Sequence, residues 1–410
     1  MSNEPEFLPE GSVTTTPGFT AAAAHAGLKA GGALDVALLV SSSFCATAGV
    51  FTTNAVRAAP VLYDEAMLAE RPGRVRAVAM NARVANACTG APGLEAAKAM
   101  ARAAEQAAGL PARSALVLST GVIGVPLPVD KITQGLTDAA GRLAPSGGLD
   151  AAKAIMTTDT RAKHCAARID TPSGSITVGG IAKGAGMIHP DMATLLGVLT
   201  TDAKIEPAEL APILRRVADR SFNAISVDGD TSTNDTVLIL ANGASEIEPT
   251  HDPGLLQLFE SAVLLVARSL ALAIVVDGEG ATKLVEIQVR GAKNETAARD
   301  VGRAIARSAL VKTAIFGADP NWGRILAAAG AAGVELAPEK LSLSAEDDGG
   351  WLDLARDGGT ANPDLVRART IFQAPRICLR IDLGMGRAEA VVWTCDLSPE
   401  YVRINADYTS

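Results

Sequence analysis

Helix-like and strand-like stretches alternate along the whole chain, and this alternation constrains the fold more than any other feature. Residues 93–110, GLEAAKAMARAAEQAAGL, are rich in good helix formers and end at a glycine followed by a proline. The apolar stretch 115–119 follows as a short predicted strand, which runs into the turn Thr120-Gly121. Repeated alternation of this kind predicts a mixed α/β or α+β architecture.

Later stretches continue the pattern with different material. ARIDTPSGSITVGG predicts a hairpin around residues 172–174, and Asp252-Pro253 predicts the cap of a mostly buried helix that runs to Val276. LVEIQVR at 284–290 alternates apolar and polar residues, as a half-buried strand does. ICLRIDL at 377–383 predicts another strand, followed by the turn GMGR and a partner strand through 391–393.

Composition limits the function classes. At 410 residues, the chain is long enough for two or three modules, and 48% hydrophobic residues leave ample material to bury. Only 3% of residues are aromatic, so base-stacking platforms for single-stranded nucleic acid are not expected. The formal charge of -8, with no block of basic residues, disfavours nucleic acid and anionic membranes as partners.

No membrane or export segment is predicted. The start MSNEPEFLPE is acidic and lacks an apolar core, unlike a secretory signal. The longest apolar runs, around 33–40 and 262–276, are interrupted by Asp35 and Arg268, and we expect them to be too short to span a bilayer. We therefore expect a cytoplasmic protein.

Metal sites and disulfides also lack support in the sequence. Five scattered cysteines form no CxxC pair and are expected to be buried, reduced thiols, while four histidines show no metal-ligand spacing. DGDTSTND at 228–235 begins like a calcium loop, but Thr233 and Ile239 stand where glycine and glutamate are required. We expect no metal site.

A threonine is the remaining candidate nucleophile. Thr194 lies within KGAGMIHPDMATLLGVLTTDA at 183–203, after the small residue Ala193. A threonine at a chain N-terminus carries its own base, an α-amino group with an ordinary pKa of about 7.7 to 8. An internal threonine reaches this state if its hydroxyl breaks the preceding peptide bond. From the residues alone, a threonine that merely opens a buried strand is the more common interpretation.

Several separated stretches together resemble one family. The segment around Thr194 resembles the self-cleavage segment of the glutamate/ornithine N-acetyltransferases of the cyclic arginine pathway. The resemblance covers nearly the whole chain. It includes GLKAGGALDVAL at 27–38, GVFTTNAVRAAPV at 49–61, NACTG at 86–90, STGVIG at 119–124, AIMTTDT at 154–160, SVDGDTSTNDT at 226–236, DGEGATK at 277–283, FGADPNWGR at 316–324 and CDLSPEYVRINADYTS at 395–410.

The resemblance implies an ornithine acetyltransferase-like fold that processes itself. Cleavage between Ala193 and Thr194 would leave an α chain of residues 1–193 and a β chain of residues 194–410, paired and assembled as α2β2. It also implies a ping-pong reaction: acetyl passes from N-acetylornithine to the hydroxyl of Thr194 and then to glutamate, with no cofactor. Some members of the family also accept acetyl-CoA.

Site residues follow from the same resemblance, position by position. It implies an oxyanion hole at Thr120 and Gly121, and DGDTSTND as a supporting loop or a self-bonded polar turn. A cation at Lys183 and an anion at Glu279 also suit a substrate that carries a carboxylate and an ammonium group. The implied substrate-contacting residues are Thr157, Lys183, Thr194, Glu279, Asn405 and Ser410.

One departure leaves alternatives open. Where the family is expected to have an NSG-type segment, this chain has residues 81–84, Asn-Ala-Arg-Val, and Arg83 adds a bulky cation there. The alternatives are an N-terminal-nucleophile amidohydrolase or aminopeptidase, an acetyltransferase of specialised metabolism, and a non-catalytic amino-acid-binding relative.

Overall fold

The computed structural model describes residues 4–189 and 195–407. Ala193, Thr194 and Ser410, three of the predicted site residues, therefore lie outside the described residues. The described chain forms two β-sheets with helices packed against them. One apolar cluster draws residues from both sheets, and a second is built on the smaller sheet. The predicted mixed α/β class is confirmed.

The strands alternate with helices as the sequence predicted, and a small hairpin-like turn joins β6 to β7 near residue 173. The strands are β1 (Glu6–Leu8), β2 (Phe19–Ala24), β3 (Val36–Phe51), β4 (Val75–Asn81), β5 (Ala115–Ser119), β6 (Lys163–Thr171), β7 (Gly174–Lys183), β8 (Leu196–Thr201), β9 (Ile225–Ser226), β10 (Thr236–Ala241), β11 (Leu284–Ala292), β12 (Ser342–Asp347), β13 (Gly350–Arg356), β14 (Gly359–Thr360), β15 (Arg376–Asp382) and β16 (Ala388–Cys395).

Two of the helices were predicted above: the one over 93–110 begins and ends three residues earlier, and the longest one has the predicted first-turn proline. They are α1 (Ala59–Glu70), α2 (Gly90–Ala107), α3 (Val129–Ala140), α4 (Gly148–Ala154), α5 (Pro207–Asp219), α6 (Pro253–Val276), α7 (Glu295–Ala306), α8 (Ala309–Phe316), α9 (Trp322–Gly330), α10 (Leu365–Gln373) and α11 (Pro399–Asp407).

The larger sheet combines strands from both sides of residue 194. Its order is β1-β6-β7-β8-β10-β3-β4-β5, with β2 paired to β3. β8, which begins two residues after Thr194, lies between β7 and β10, antiparallel to the first and parallel to the second. The two segments predicted to become separate chains thus share one sheet and one core.

The strand order of the smaller sheet differs from the predicted pairing of the strands at 377–383 and 391–393. Its order is β14-β13-β12-β15-β11-β16-β9, so β15 and β16 are not neighbours and the predicted direct hairpin is wrong. β11 lies between them, parallel to β15 and antiparallel to β16. The GMGR connection crosses the end of β11, where the Leu383 and Met385 N–H groups donate to the Arg290 and Gly291 carbonyls at 2.9 and 2.7 Å. These bonds satisfy backbone groups that a tight turn would have paired locally.

The helix α6 has the predicted span, from the Asp252-Pro253 cap to Val276. Asp252 caps it as predicted, accepting from the Gly254 N–H at 2.7 Å. Its 24 residues are long and apolar enough to cross a membrane by length and composition, so the expectation that the run is too short was wrong. Half of its most apolar window is buried within the protein, and a core helix passes the same test. It packs on β6 and β7, where a Cβ on Gly180 would lie 2.7 Å from Val266.

All five cysteines are free thiols, and three of them, Cys45, Cys165 and Cys395, are buried as predicted. Cys378 is half-buried. Cys88 is exposed, which corrects the expectation for that residue, because it lies in a left-handed turn with φ of 56° ahead of α2.

Candidate active site

The predicted oxyanion turn follows directly from β5. β4 and β5 are parallel, with Asn81 opposite Ser119, and the Thr120 N–H donates to the Asn81 carbonyl at 3.1 Å. Gly121 has a φ of +131°, and a Cβ there would lie 2.1 Å from the carbonyl carbon of Arg83. Only glycine fits this close backbone approach. Arg83, the departure from the family pattern, thus meets the turn through its backbone.

The polar loop of residues 228–235 makes hydrogen bonds both to the segments around this turn and to the start of β8. The Asn234 amide donates to the Ser119 carbonyl at 2.9 Å and to the Ala85 carbonyl at 2.7 Å. Asp235 accepts from the Leu195 N–H at 2.8 Å, so a fully buried carboxyl holds the residue that follows Thr194. Burial raises the pKa of Asp235 well above its ordinary value, although the Leu195 N–H and Lys183 oppose the shift.

The same loop also holds the segment that ends at residue 189. Asp228 accepts from the Met187 and Ile188 N–H groups at 2.5 and 2.9 Å, and from the Tyr401 hydroxyl at 3.3 Å. Burial raises the pKa of Asp228 to about 6, against the effect of these hydrogen bonds. Residues 187–188 and Leu195, on either side of the predicted cleavage point, are therefore held by carboxyl groups of one loop.

Lys183 ends β7 and reaches the oxyanion turn. Its side chain is 2% exposed, and its Nζ donates to the Oγ1 of Thr120 at 3.3 Å. Burial lowers the pKa of Lys183, while the carboxylates of Asp159, Asp235 and Glu279 oppose that shift. Lys183 thus lies among three acidic side chains from three different segments.

Asp159 connects the predicted contact residue Thr157 to the end of β7. One oxygen accepts from the Thr157 N–H at 2.9 Å, and the other accepts from the Gly184 N–H at 2.7 Å and from Lys163 Nζ at 2.7 Å. Burial alone would raise the pKa of Asp159, but Lys183 and Lys163 hold it below its ordinary value. The carboxylate therefore stays charged.

Lys163 extends this network toward Glu279. Its Nζ also donates to Asp277 at 2.5 Å, and Asp277 accepts from the Thr160 N–H at 3.1 Å. Both members of the Lys163–Asp277 pair are buried, at 2% and 7% exposure, and such a pair is stable only when its remaining hydrogen bonds are satisfied. Asp277 lies two residues before Glu279, so the network spans the segments that carry Thr157 and Glu279.

Glu279 lies against the turn that follows Lys183. Its N–H donates to the Ala185 carbonyl at 2.8 Å, and its Oε2 accepts from the Asn405 amide at 2.7 Å. A Cβ on Gly186 would lie 2.4 Å from the same Oε2. The structure therefore brings Glu279 and Asn405, predicted contact residues from the middle and end of the chain, into direct contact beside the Lys183 turn.

Contacts thus connect all the predicted site residues that the structure describes, whereas Ala193, Thr194 and Ser410 remain sequence predictions. The sequence reasoning singled out neither Asp159 nor Asp277, although both lie in quoted motifs beside the residues that it chose. Asp235 ends the polar loop, whose role was left open. Lys163 lies in none of the quoted motifs, and its position between two carboxylates is visible only in the folded structure. Across residues 4–189 and 195–407, no cluster of His, Cys, Asp and Glu could hold a metal ion.

The sequence profile of the ArgJ family matches residues 20–410, which include every described site residue above. The chain belongs to the ArgJ family. The arginine biosynthesis bifunctional protein ArgJ of Symbiobacterium thermophilum is 47% identical over 402 residues, covering 97% of this chain and 98% of that protein. Family membership confirms the predicted class of enzyme, a glutamate N-acetyltransferase of arginine biosynthesis.

Two solved structures are similar to parts of this ArgJ-family chain. The crystal structure of ArgJ from Bacillus halodurans has 38% sequence identity and a TM-score of 0.48, covering 52% of this chain and 98% of that chain. The ornithine acetyltransferase of Mycobacterium tuberculosis, solved in complex with ornithine, has 41% identity and a TM-score of 0.42, covering 45% of this chain and 98% of that chain.

Proposed function

We propose that this enzyme moves acetyl from N-acetylornithine to glutamate in two half-reactions, through an acetyl ester on Thr194. The observation that carries the proposal is the link between the Thr120–Gly121 turn and Lys183, next to the carboxyl of Asp235 that holds Leu195. Because Leu195 is covalently joined to Thr194, Asp235 anchors the residue after the nucleophile. The Thr120–Gly121 turn and Lys183 supply the N–H, hydroxyl and ammonium groups that stabilise negative charge.

Self-processing is the first step of the proposal. The Thr194 hydroxyl attacks the Ala193 carbonyl, the Ala193–Thr194 amide bond breaks, and water hydrolyses the resulting ester. The products are an α chain ending at Ala193 and a β chain whose free α-amine is the base for its own hydroxyl. Both chains stay together because β8 lies between β7 and β10 of one sheet.

In the first half-reaction, the Thr194 hydroxyl gives its proton to the α-amine and attacks the acetyl carbonyl of N-acetylornithine. Negative charge develops on the carbonyl oxygen, where the Gly121 N–H and the Thr120 hydroxyl would donate hydrogen bonds. The C–N bond then breaks, and ornithine leaves with the proton. In the second half-reaction, the amine of glutamate attacks the ester and restores the threonine hydroxyl.

Charge complementarity supports amino-acid substrates. We assign the ammonium end of ornithine to Glu279, whose Oε2 also accepts from Asn405, and the carboxylate end to Lys183. Thr157 and Ser410 complete the proposed contacts. We further propose an α2β2 assembly in the cytoplasm and a second use of acetyl-CoA as donor, as the word bifunctional in the names of relatives suggests.

Intact-protein mass spectrometry tests the proposal. We expect two chains split between Ala193 and Thr194, with the β chain gaining one acetyl mass from N-acetylornithine and losing it to glutamate. Thr194→Ala should remain one uncut chain. Normal cleavage of that variant would contradict the assignment of the nucleophile. Loss of the acetyl group at the same rate without glutamate would indicate an amidohydrolase instead.

A further inference from the structure

The hydrogen bond between Lys183 and Thr120 has a fixed direction. A lysine ammonium carries three N–H donors and no acceptor, so the Thr120 oxygen must accept. The hydroxyl has one hydrogen, and the Lys183 contact is its only hydrogen bond within residues 4–189 and 195–407. Its hydrogen is therefore available to a further acceptor.

We propose that Lys183 is a positioning residue for the oxyanion hole, which holds the Thr120 hydroxyl so that it donates toward the developing negative charge. This inference rests on the proposed function, since it needs acyl chemistry at Thr194. A threonine hydroxyl otherwise rotates to suit its neighbours and readily donates to a nearby backbone carbonyl. Accepting from an ammonium also polarises the O–H group and makes it a stronger donor.

The surroundings of Lys183 keep its amine in this role. Gly184, the next residue, is tied to Asp159 through its N–H, so the backbone at the end of β7 is anchored. Burial lowers the pKa of Lys183, and the nearby carboxylates, Asp159 first among them, oppose that shift. Asp159 also keeps Lys163 as a partner at 2.7 Å, so replacing Lys183 leaves no isolated carboxylate there.

This role differs measurably from simple substrate binding. If Lys183 only bound the substrate carboxylate, replacing it would raise KM, and by the same factor whether or not Thr120 has a hydroxyl. A lysine that acts through Thr120 changes the rate of acetylation, and its effect disappears once the hydroxyl is gone.

The experiment is a double-mutant cycle of Lys183→Met and Thr120→Ala, read as the rate of β-chain acetylation per processed enzyme at saturating N-acetylornithine, so that any loss of carboxylate binding appears in KM and not in the rate. Thr120→Ala should slow acetylation by about 100-fold, as loss of one oxyanion donor does. Lys183→Met should slow it by about tenfold or more in the wild-type background and by less than about twofold in the Thr120→Ala background. The matched control is Lys163→Met, which replaces another buried lysine of the same network. It should reduce the acetylation rate by the same factor in both backgrounds.

Equal effects of Lys183→Met in both backgrounds, or a rise in KM with an unchanged rate, would overturn the proposal. If Lys183→Met does not fold, as judged by its thermal unfolding, Lys183→Gln enters the same cycle. A Lys183 variant that cannot self-process while Thr120→Ala can would also overturn it, because Lys183 would then act beyond Thr120. A wild-type β chain that never gains acetyl would contradict the proposed function itself.

Discussion

Replacing Gly121 by alanine tests the oxyanion turn most directly. The new Cβ would lie 2.1 Å from the carbonyl carbon of Arg83, 2.4 Å from its oxygen and 2.5 Å from its Cα, all backbone atoms. Ordinary contacts are about 3.5–4.0 Å, so the turn must move by more than about 1 Å to relieve the overlap. Misplacement on this scale costs about 100-fold in rate, and loss of one oxyanion donor costs about 100- to 1000-fold.

Gly124 supplies the matched control. It lies in the same connection with a φ of +83°, but a Cβ there would meet nothing within 4 Å. Gly124→Ala should therefore lose only the left-handed conformational preference, about 1–3 kcal/mol of stability, with kcat within about threefold of wild type. Gly121→Ala should lose more stability than this and at least about 100-fold in kcat.

The assay compares kcat per processed enzyme and unfolding in denaturant for the two variants. A Gly121→Ala enzyme with wild-type kcat would refute the reasoning, since its N–H could not then be a donor held in place by the Arg83 contact. Equal loss of kcat in both variants would attribute the effect to general strain in the connection rather than to the position of one N–H.

Three further predictions concern the groups around the turn. Gly186→Ala should push the Glu279 carboxylate aside and raise the KM for N-acetylornithine while thermal stability stays near wild type, because only a side-chain end is displaced. Burial raises the pKa of Asp228 from 3.8 to about 6, so the folded state binds its proton more tightly than the unfolded chain. The free energy of unfolding, measured in denaturant, should therefore fall by about 3 kcal/mol as pH rises from about 4 to about 6 and then stay level. The Asp228→Asn variant should lack this pH dependence. Asp235→Asn keeps an acceptor for the Leu195 N–H and should retain most stability, whereas Asp235→Ala should lose about 1–3 kcal/mol more in the same unfolding assay.

Local features of the fold were predictable because they depend on neighbouring residues. The strand Ala115–Ser119 and its glycine turn follow from an apolar run and a residue free to adopt positive φ. The Asp252-Pro253 start of α6 follows from capping chemistry. Pairing between β15 and β16 was not predictable in this way, because a short connection can also cross another strand, as GMGR crosses β11.

For the candidate site too, the residues were predictable from the sequence, but the contacts between them were not. The sequence by itself determined the family motifs, and with them Thr120, Gly121, Thr157, Lys183, Glu279 and Asn405 as residues of interest. Only the tertiary structure decided that Lys183 donates to Thr120 and that Lys163 bridges two buried carboxylates. The physical reason is that the Lys183–Thr120 and Lys163–Asp277 contacts join residues 63 and 114 positions apart in the chain. A hydrogen bond of about 3 Å between such residues depends on strand register, which no local pattern encodes.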